Sequence, residues 1–259
     1  GDTVSVMLLN TPAMIEAHYG VPMAGAVLHS LNTRLDAATI AFQLDHAEAK
    51  VVITDIALLP RMREALAMAE GNPRLIVYDD TEYDGPRLAY DECEYEAFIA
   101  DGDAEFAWKM PADEWDAISI NYTSGTTGDP KGVVYHHRGA YLLAQGNALT
   151  ASMKKQATYL WTLPMFHCNG WCFPWTISAL SGTHVCLREV RADDIWKAIL
   201  EHRVSHMCGA PIVMSMVVSG KPENAKLDYE VEFFTAAAPP PEAVLAAMKD
   251  AGFNVTHLY

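Results

Sequence analysis

Asn121-Tyr-Thr-Ser-Gly-Thr-Thr-Gly-Asp-Pro-Lys-Gly132 begins on the last two residues of the apolar run 117–122. Eight of the ten residues from Thr123 to Gly132 are Thr, Ser, Gly or Lys. Such a loop offers free backbone N–H groups, hydroxyl donors and one cation within a short arc, which is what a polyphosphate requires. Gly125 and Gly128 let the main chain approach phosphates closely, and Lys131 supplies a point charge. The spacing is Gly-x2-Gly-x2-Lys, and Gly132 stands where a Walker A loop would carry the Ser or Thr that holds magnesium, so this is a phosphate loop of another kind. A merely flexible surface loop has no need of the Pro-Lys-Gly closure.

Outward from the loop, short apolar runs alternate with helical stretches. Strands are expected at 4–9, 51–54, 75–78, 117–122, 158–161, 183–187, 206–208, 233–236 and 254–259. Helices are expected at 12–26, after a capping Asn10-Thr11, and at 36–44, 193–201 and 240–251, each opening on Asp or Pro. His136-His137-Arg138 reads as the start of another helix rather than a catalytic pair. This succession predicts an α/β fold with mainly parallel sheets flanked by helices. No Gly/Ser linker divides the chain, so one body with two subdomains is expected, with a break near the acidic segment 79–116.

That segment dominates the charge. The 259 residues hold 18 Lys and Arg against 33 Asp and Glu, a net charge of −15. Residues 79–116 contain 14 acidic side chains and only Arg87 and Lys109 as basic ones, a local balance of −12. An acidic surface repels phosphate backbones and anionic lipid, which excludes nucleic-acid and membrane-surface partners. The segment lacks the glycine-centred loop of a calcium site and reads as a solvated insertion between strands. Five cysteines, an odd number, argue against a disulfide framework and for a reducing, cytoplasmic setting. His167-Cys168-x3-Cys172 lacks the second ligand pair of a zinc site. No apolar run approaches the roughly 18 residues of a membrane span.

Thr123 to Gly132 resembles the phosphate-binding signature of the adenylate-forming (AMP-binding) superfamily: acyl-CoA synthetases, luciferases and peptide-synthetase adenylation domains. Gly25-Ala-Val-Leu-His-Ser-Leu-Asn32 and Glu48-Ala-Lys-Val-Val-Ile-Thr-Asp55 resemble its upstream segment, and Leu163-Pro-Met-Phe-His167 resembles its Pro-x-Phe-His element. Thr235-Ala-Ala-Ala-Pro239 resembles the Gly-Ala-Pro element, with alanine replacing glycine, and His257-Leu-Tyr259 looks like the start of a Tyr-Gly-x-Thr-Glu motif. The likeness covers the whole chain. It implies the N-terminal domain of such an enzyme, truncated at both ends and lacking the C-terminal domain, so that these 259 residues alone would turn over little. Gly132 to Tyr141 and Pro164 to Cys172 look most like the short- and medium-chain acyl-activating branch, which includes the 3-methylmercaptopropionyl-CoA ligases.

The resemblance also implies roles. ATP, Mg2+ and CoA would be the cofactors and a small carboxylic acid the substrate, and a homodimer is compatible with the family. Lys131 with Thr123, Ser124, Gly125, Thr126, Thr127 and Gly128 would hold the β- and γ-phosphates, and Thr123 would also contact the metal. His167 would border the α-phosphate and the substrate carboxylate. Proton transfer is not required of it, since a carboxylate is already ionised. Ala237, Ala238 and Pro239 would present main chain to the adenine, with Tyr259 stacked on its ring. Trp171 would line and shorten the acyl pocket, and Gly209 would floor it. Phe173 and Trp175, alternating with Trp171, read as core. Two other readings stay open: an adenylation domain that feeds a carrier protein, and a module that binds nucleotide without turnover.

Overall fold

A computed structural model describes residues 1–108, 110–123, 129–236 and 238–258. The chain divides into two units, one formed by Gly1–Ala140 with Phe166–Asn169, the other by Tyr141–Met165 with Gly170–Tyr259. The acidic segment 79–116 lies wholly inside the first unit. The expected break there is therefore displaced to Ala140/Tyr141, because a charged run marks a solvated surface and not a boundary between cores.

The first unit is built on a seven-stranded sheet of β1 (Thr3–Met7), β2 (Val27–Ser30), β3 (Ala49–Asp55), β4 (Arg74–Tyr78), β5 (Cys93–Glu94), β6 (Ala117–Tyr122) and β7 (Gly132–His136). The strand order is β5-β4-β3-β1-β2-β6-β7, with every neighbouring pair parallel except β6 and β7. Buried parallel strands read as continuous apolar runs, which is why the expectations at 51–54 and 75–78 meet β3 and β4. The second unit holds five parallel strands, β8 (Thr158–Leu160), β9 (Thr183–Val185), β10 (His206–Cys208), β11 (Val231–Ala236) and β12 (Phe253–Leu258), in the order β12-β11-β10-β8-β9.

Local chemistry sets the helices. Asp36 accepts the Thr39 amide at 2.8 Å and caps the helix Ala37–His46. Glu94 caps Tyr95–Ala100 through the Ala97 amide at 3.0 Å. Thr11 makes no such side-chain bond; Pro12 at the first helical position starts the helix Pro12–Met23 instead. That helix stops three residues short of the expected end because Val27–Ser30 is a strand, β2. In the second unit the helix Ala192–His202 buries Ile195, Trp196, Ala198 and Ile199 against the sheet, and Trp196 Nε1 donates to the Val217 carbonyl at 2.8 Å.

The acidic segment serves the first unit locally. Arg63 pairs with Glu92 at 2.7 Å and holds its carboxyl below the usual range, while Arg87 pairs with Asp79 at 2.9 Å.

Two histidines tie stability to pH. His29, on β2, is fully buried, its Nδ1 bonded to Ser5 Oγ at 2.8 Å, and burial pushes its pKa down to about 4. His184 stacks on Trp161 and accepts its indole N–H at 3.0 Å; burial also brings it to about 4. Unfolded, both take up a proton near pH 6.5; folded, they do so only near pH 4. The unfolded chain therefore binds more protons between those values, and stability falls as pH drops through that window, by at most about 1.4 kcal/mol per pH unit for each histidine. His137 and His206 act in the same direction, and Glu232, raised by burial, opposes them. Thermal melts are expected to give a lower Tm at pH 5 than at pH 7; an equal or higher Tm at pH 5 would contradict this.

Candidate functional site

The phosphate loop is the connection of an antiparallel hairpin. Strand β6 ends at the carboxyl edge of the first sheet, and Tyr122 pairs with Gly132 of β7. One residue further, the Thr123 amide donates to the Lys131 carbonyl at 3.0 Å, and the Lys131 amide donates to Thr123 Oγ1 at 3.1 Å. These two bonds close the neck of the loop. Thr123 and Lys131 are both exposed. Below the neck, Tyr122 Oη bonds His46 Nδ1 at 2.7 Å and its ring packs tilted on His29, bracing the end of β6. Ser124, Gly125, Thr126, Thr127 and Gly128 lie outside the described residues. A threonine hydroxyl oxygen has two acceptor lone pairs, and Thr123 Oγ1 spends one on Lys131, so the other is available to a hard cation. Magnesium is usually held by one or two protein oxygens together with phosphate oxygens, so Thr123 fits the part of a single protein contact.

His167 belongs to the same unit and is exposed. The chain that follows it is unusual. Cys168, Asn169, Gly170, Trp171 and Cys172 have φ of 49°, 52°, 55°, 55° and 62°, one turn of left-handed helix. Four of the five carry a Cβ, and each such residue costs about 1–2 kcal/mol in that conformation, somewhat less for Asn. Strain of this size persists only where the surroundings enforce it. Asn169 is fully buried and accepts at Oδ1 from Ser119 Oγ at 2.8 Å and from Asn121 Nδ2 at 2.6 Å, both on β6. In the second unit, Asn147 Nδ2 donates to the Trp171 carbonyl at 2.7 Å. The Trp171-x-Phe173-x-Trp175 alternation thus belongs not to a strand but to this turn and the helix Phe173–Ala179, because the left-handed turn breaks any extended run; Phe173 is nonetheless core, as expected, and Trp171 and Trp175 are half-buried.

Gly209, Ala238 and Pro239 lie at the carboxyl edge of the second sheet. Gly209 follows β10 and donates its amide to the Phe234 carbonyl at 2.9 Å. A Cβ on Gly209 would stand 2.8 Å from Val213 Cβ and 3.1 Å from the Phe233 ring, so only glycine fits. Ala238 and Pro239, both exposed, follow β11; Ala237 and Tyr259 lie outside the described residues, but Ala236 and Leu258, which precede them, pair across β11 and β12. Strand order reverses between β8 and β10, where Thr162 Oγ1 donates to the Cys208 carbonyl at 2.6 Å. Open parallel sheets bind ligands at carboxyl ends next to such a reversal.

A cavity of about 330 Å³ in the first unit lies elsewhere, lined by Val27, Ala117 and other residues where β2 and β6 begin. Among the described residues no group of three His, Cys, Asp or Glu is placed to hold a metal.

Two α/β units with mainly parallel sheets, the first with a hairpin connection between β6 and β7 at the carboxyl edge of its sheet, define the class of fold. The family profile described as AMP-binding enzyme matches residues 1–259, and the chain belongs to that family. It is 46% identical to the peroxisomal acetate/butyrate–CoA ligase AAE7 of Arabidopsis thaliana and 46% identical to the acetate–CoA ligase CCL3 of Humulus lupulus, matching 100% of this chain and 48% of each relative. The chain thus spans about half the length of the curated relatives it matches. An inhibitor-bound crystal structure of the N-terminal domain of FACL13 from Mycobacterium tuberculosis superposes with a TM-score of 0.83 at 27% identity, covering 100% of this chain and 62% of that one. The fold is that of the N-terminal domain of an adenylate-forming enzyme.

In the first unit, then, the neck residues Thr123 and Lys131 and the turn carrying His167 both attach to β6. In the second, Gly209, Ala238 and Pro239 share one sheet edge. Asn169 was not singled out by the sequence, although an asparagine beside a glycine is the residue pair best suited to positive φ. Gly209→Ala is expected to destabilise the protein by about 1–3 kcal/mol through overpacking against Val213 and Phe233, read as a lowered Tm; an unchanged Tm would show that the close approach is not required.

Proposed function

We propose that the protein is an AMP-forming acyl-CoA synthetase acting on a short- or medium-chain carboxylic acid. The 46% identity to an acetate/butyrate–CoA ligase, running the whole length of the chain, carries this reading. In the first half-reaction a carboxylate oxygen of the acid attacks the α-phosphorus of ATP, and the bond to pyrophosphate breaks. In the second, the CoA thiolate attacks the acyl carbonyl and AMP leaves.

The first step brings an anion against a triphosphate, so its barrier is largely charge crowding, and fixed cations and aligned N–H groups lower it. Lys131 and the loop from Thr123 to Gly128 hold the terminal phosphates. Magnesium, with Thr123 Oγ1 as one ligand, supplies neutralising charge when bound. His167 borders the reacting carboxylate and α-phosphate. Ala237, Ala238, Pro239 and Tyr259 receive the adenine. Gly209 and Trp171 bound the acyl pocket, and the indole keeps it short; 3-methylmercaptopropionate, whose chain is about as long as that of pentanoate, is one acid of suitable size. Five free cysteines suit a reducing compartment, and we place the protein in the cytoplasm, although the Arabidopsis relative is named as peroxisomal.

Acid-dependent exchange of pyrophosphate into ATP by the full-length protein tests the reading. Acetate, butyrate and 3-methylmercaptopropionate are expected to support exchange and a C12 acid to fail; exchange with none of the short acids would refute it. Trp171→Ala is expected to shift the preference toward longer acids by at least tenfold in kcat/KM, and an unchanged chain-length profile would remove the indole from the pocket. Lys131→Ala is expected to lower kcat/KM for ATP by about 10²-fold, in line with the loss of one charged contact to the reacting group; a value near that of the parent would remove Lys131 from the phosphate site.

A further inference from the structure

Beyond the residues assigned above, the geometry points to Asn169 as a positioning residue that fixes His167 relative to the phosphate loop. The inference rests on the proposed placement of His167 at the reacting centre.

Asn169 is two residues past His167, and Asn121 is two residues before Thr123. The 2.6 Å bond from Asn121 Nδ2 to Asn169 Oδ1 therefore links the turn bearing His167 to the strand that enters the loop. Ser119, on the same face of β6 two residues earlier, donates to the same oxygen at 2.8 Å. The amide side of Asn169 is also engaged: Nδ2 donates to Ser30 Oγ at 3.3 Å, at the carboxyl end of β2, and approaches His18 Nε2 at 3.4 Å. His18 Nδ1 lies 2.7 Å from the Met14 carbonyl, which can only accept, so the ring proton is on Nδ1 and Nε2 is left to accept from Asn169. Asn169 and His18 are fully buried, and Ser30, Ser119 and Asn121 are buried with them.

One side chain thus uses its acceptor on β6 and its donor on β2 and the helix Pro12–Met23. This network holds a backbone at φ of 52°, in the left-handed region that glycine and, less freely, asparagine adopt. His167 itself is exposed and rides on that anchored turn. Misplacing a group at a reacting centre by about 1 Å costs on the order of 10²-fold in rate. Asn169 accordingly acts on kcat through His167, without touching substrate.

A double-mutant cycle in the full-length protein separates positioning from mere structure, read by acid-dependent pyrophosphate exchange on preparations shown to be folded by thermal melting. Asn169→Gly keeps a residue that tolerates the positive φ while deleting the side-chain bonds. It is expected to lower kcat by roughly 10- to 100-fold with KM for ATP changed less than about threefold, and to cost less than about twofold when His167 is already Ala. Parent-level kcat in Asn169→Gly, or losses that multiply fully in the double variant, would overturn the inference while leaving the role of His167 standing. Parent-level kcat in His167→Ala alone would instead refute the placement of His167, and the inference with it. Should Asn169→Gly fail to fold, Ser119→Ala, which removes one of the two bonds to Oδ1, decides in the same cycle. A loss of about threefold or more that vanishes beside His167→Ala supports the inference, and no loss or a fully multiplicative one overturns it.

Discussion

The reciprocal pair of hydrogen bonds between Thr123 and Lys131 is the constraint on which the first unit's site depends. It ties together the two ends of the run of Gly, Ser and Thr at the edge of a sheet. Because β6 and β7 run antiparallel, Lys131 returns beside Thr123 at the same sheet edge. In the proposed function the phosphate site sits on a hairpin, and the pairing of two strands takes the place of the helix N-terminus used by many other nucleotide folds.

The same strand anchors the turn after His167 through Ser119 and Asn121. A strained, left-handed turn is costly, and buried polar partners that would be left unsatisfied without it make the alternative costlier. Charge follows a similar division of labour. Within 79–116, Glu92, Asp79 and Glu114 pair with Arg63, Arg87 and Arg138 and Glu94 caps a helix, while Lys131 stands where polyanions are proposed to bind. A net charge of −15 is compatible with ATP and CoA as ligands because interactions beyond a Debye length, about 8 Å at physiological salt, are largely screened.

Buried parallel strands were the most legible part of the sequence, since both faces demand apolar residues: β3, β4, β6 and β10 all stand where the apolar runs lie. Strand β2 escaped because His29 and Ser30 fill half of its four positions. Strand β7 escaped because, as an antiparallel edge, it leaves Val133 and Val134 exposed and carries no periodic signal. Of the site, the loop composition and the Pro-x-Phe-His element were legible because phosphate chemistry restricts residue types. The sign of φ at 168–172 leaves almost no trace in composition, since only Gly170 and Asn169 favour it, and the partners of Asn169 are 48 to 151 residues away in sequence.

The proposed synthetase cleaves ATP between its α- and β-phosphates when the acid is activated. Incubating the full-length protein with ATP, magnesium, CoA and butyrate and following the nucleotide by phosphorus NMR tests this directly. AMP and pyrophosphate, formed in amounts equal to the butyryl-CoA produced, are the expected products; ADP and inorganic phosphate accompanying the thioester would contradict the account.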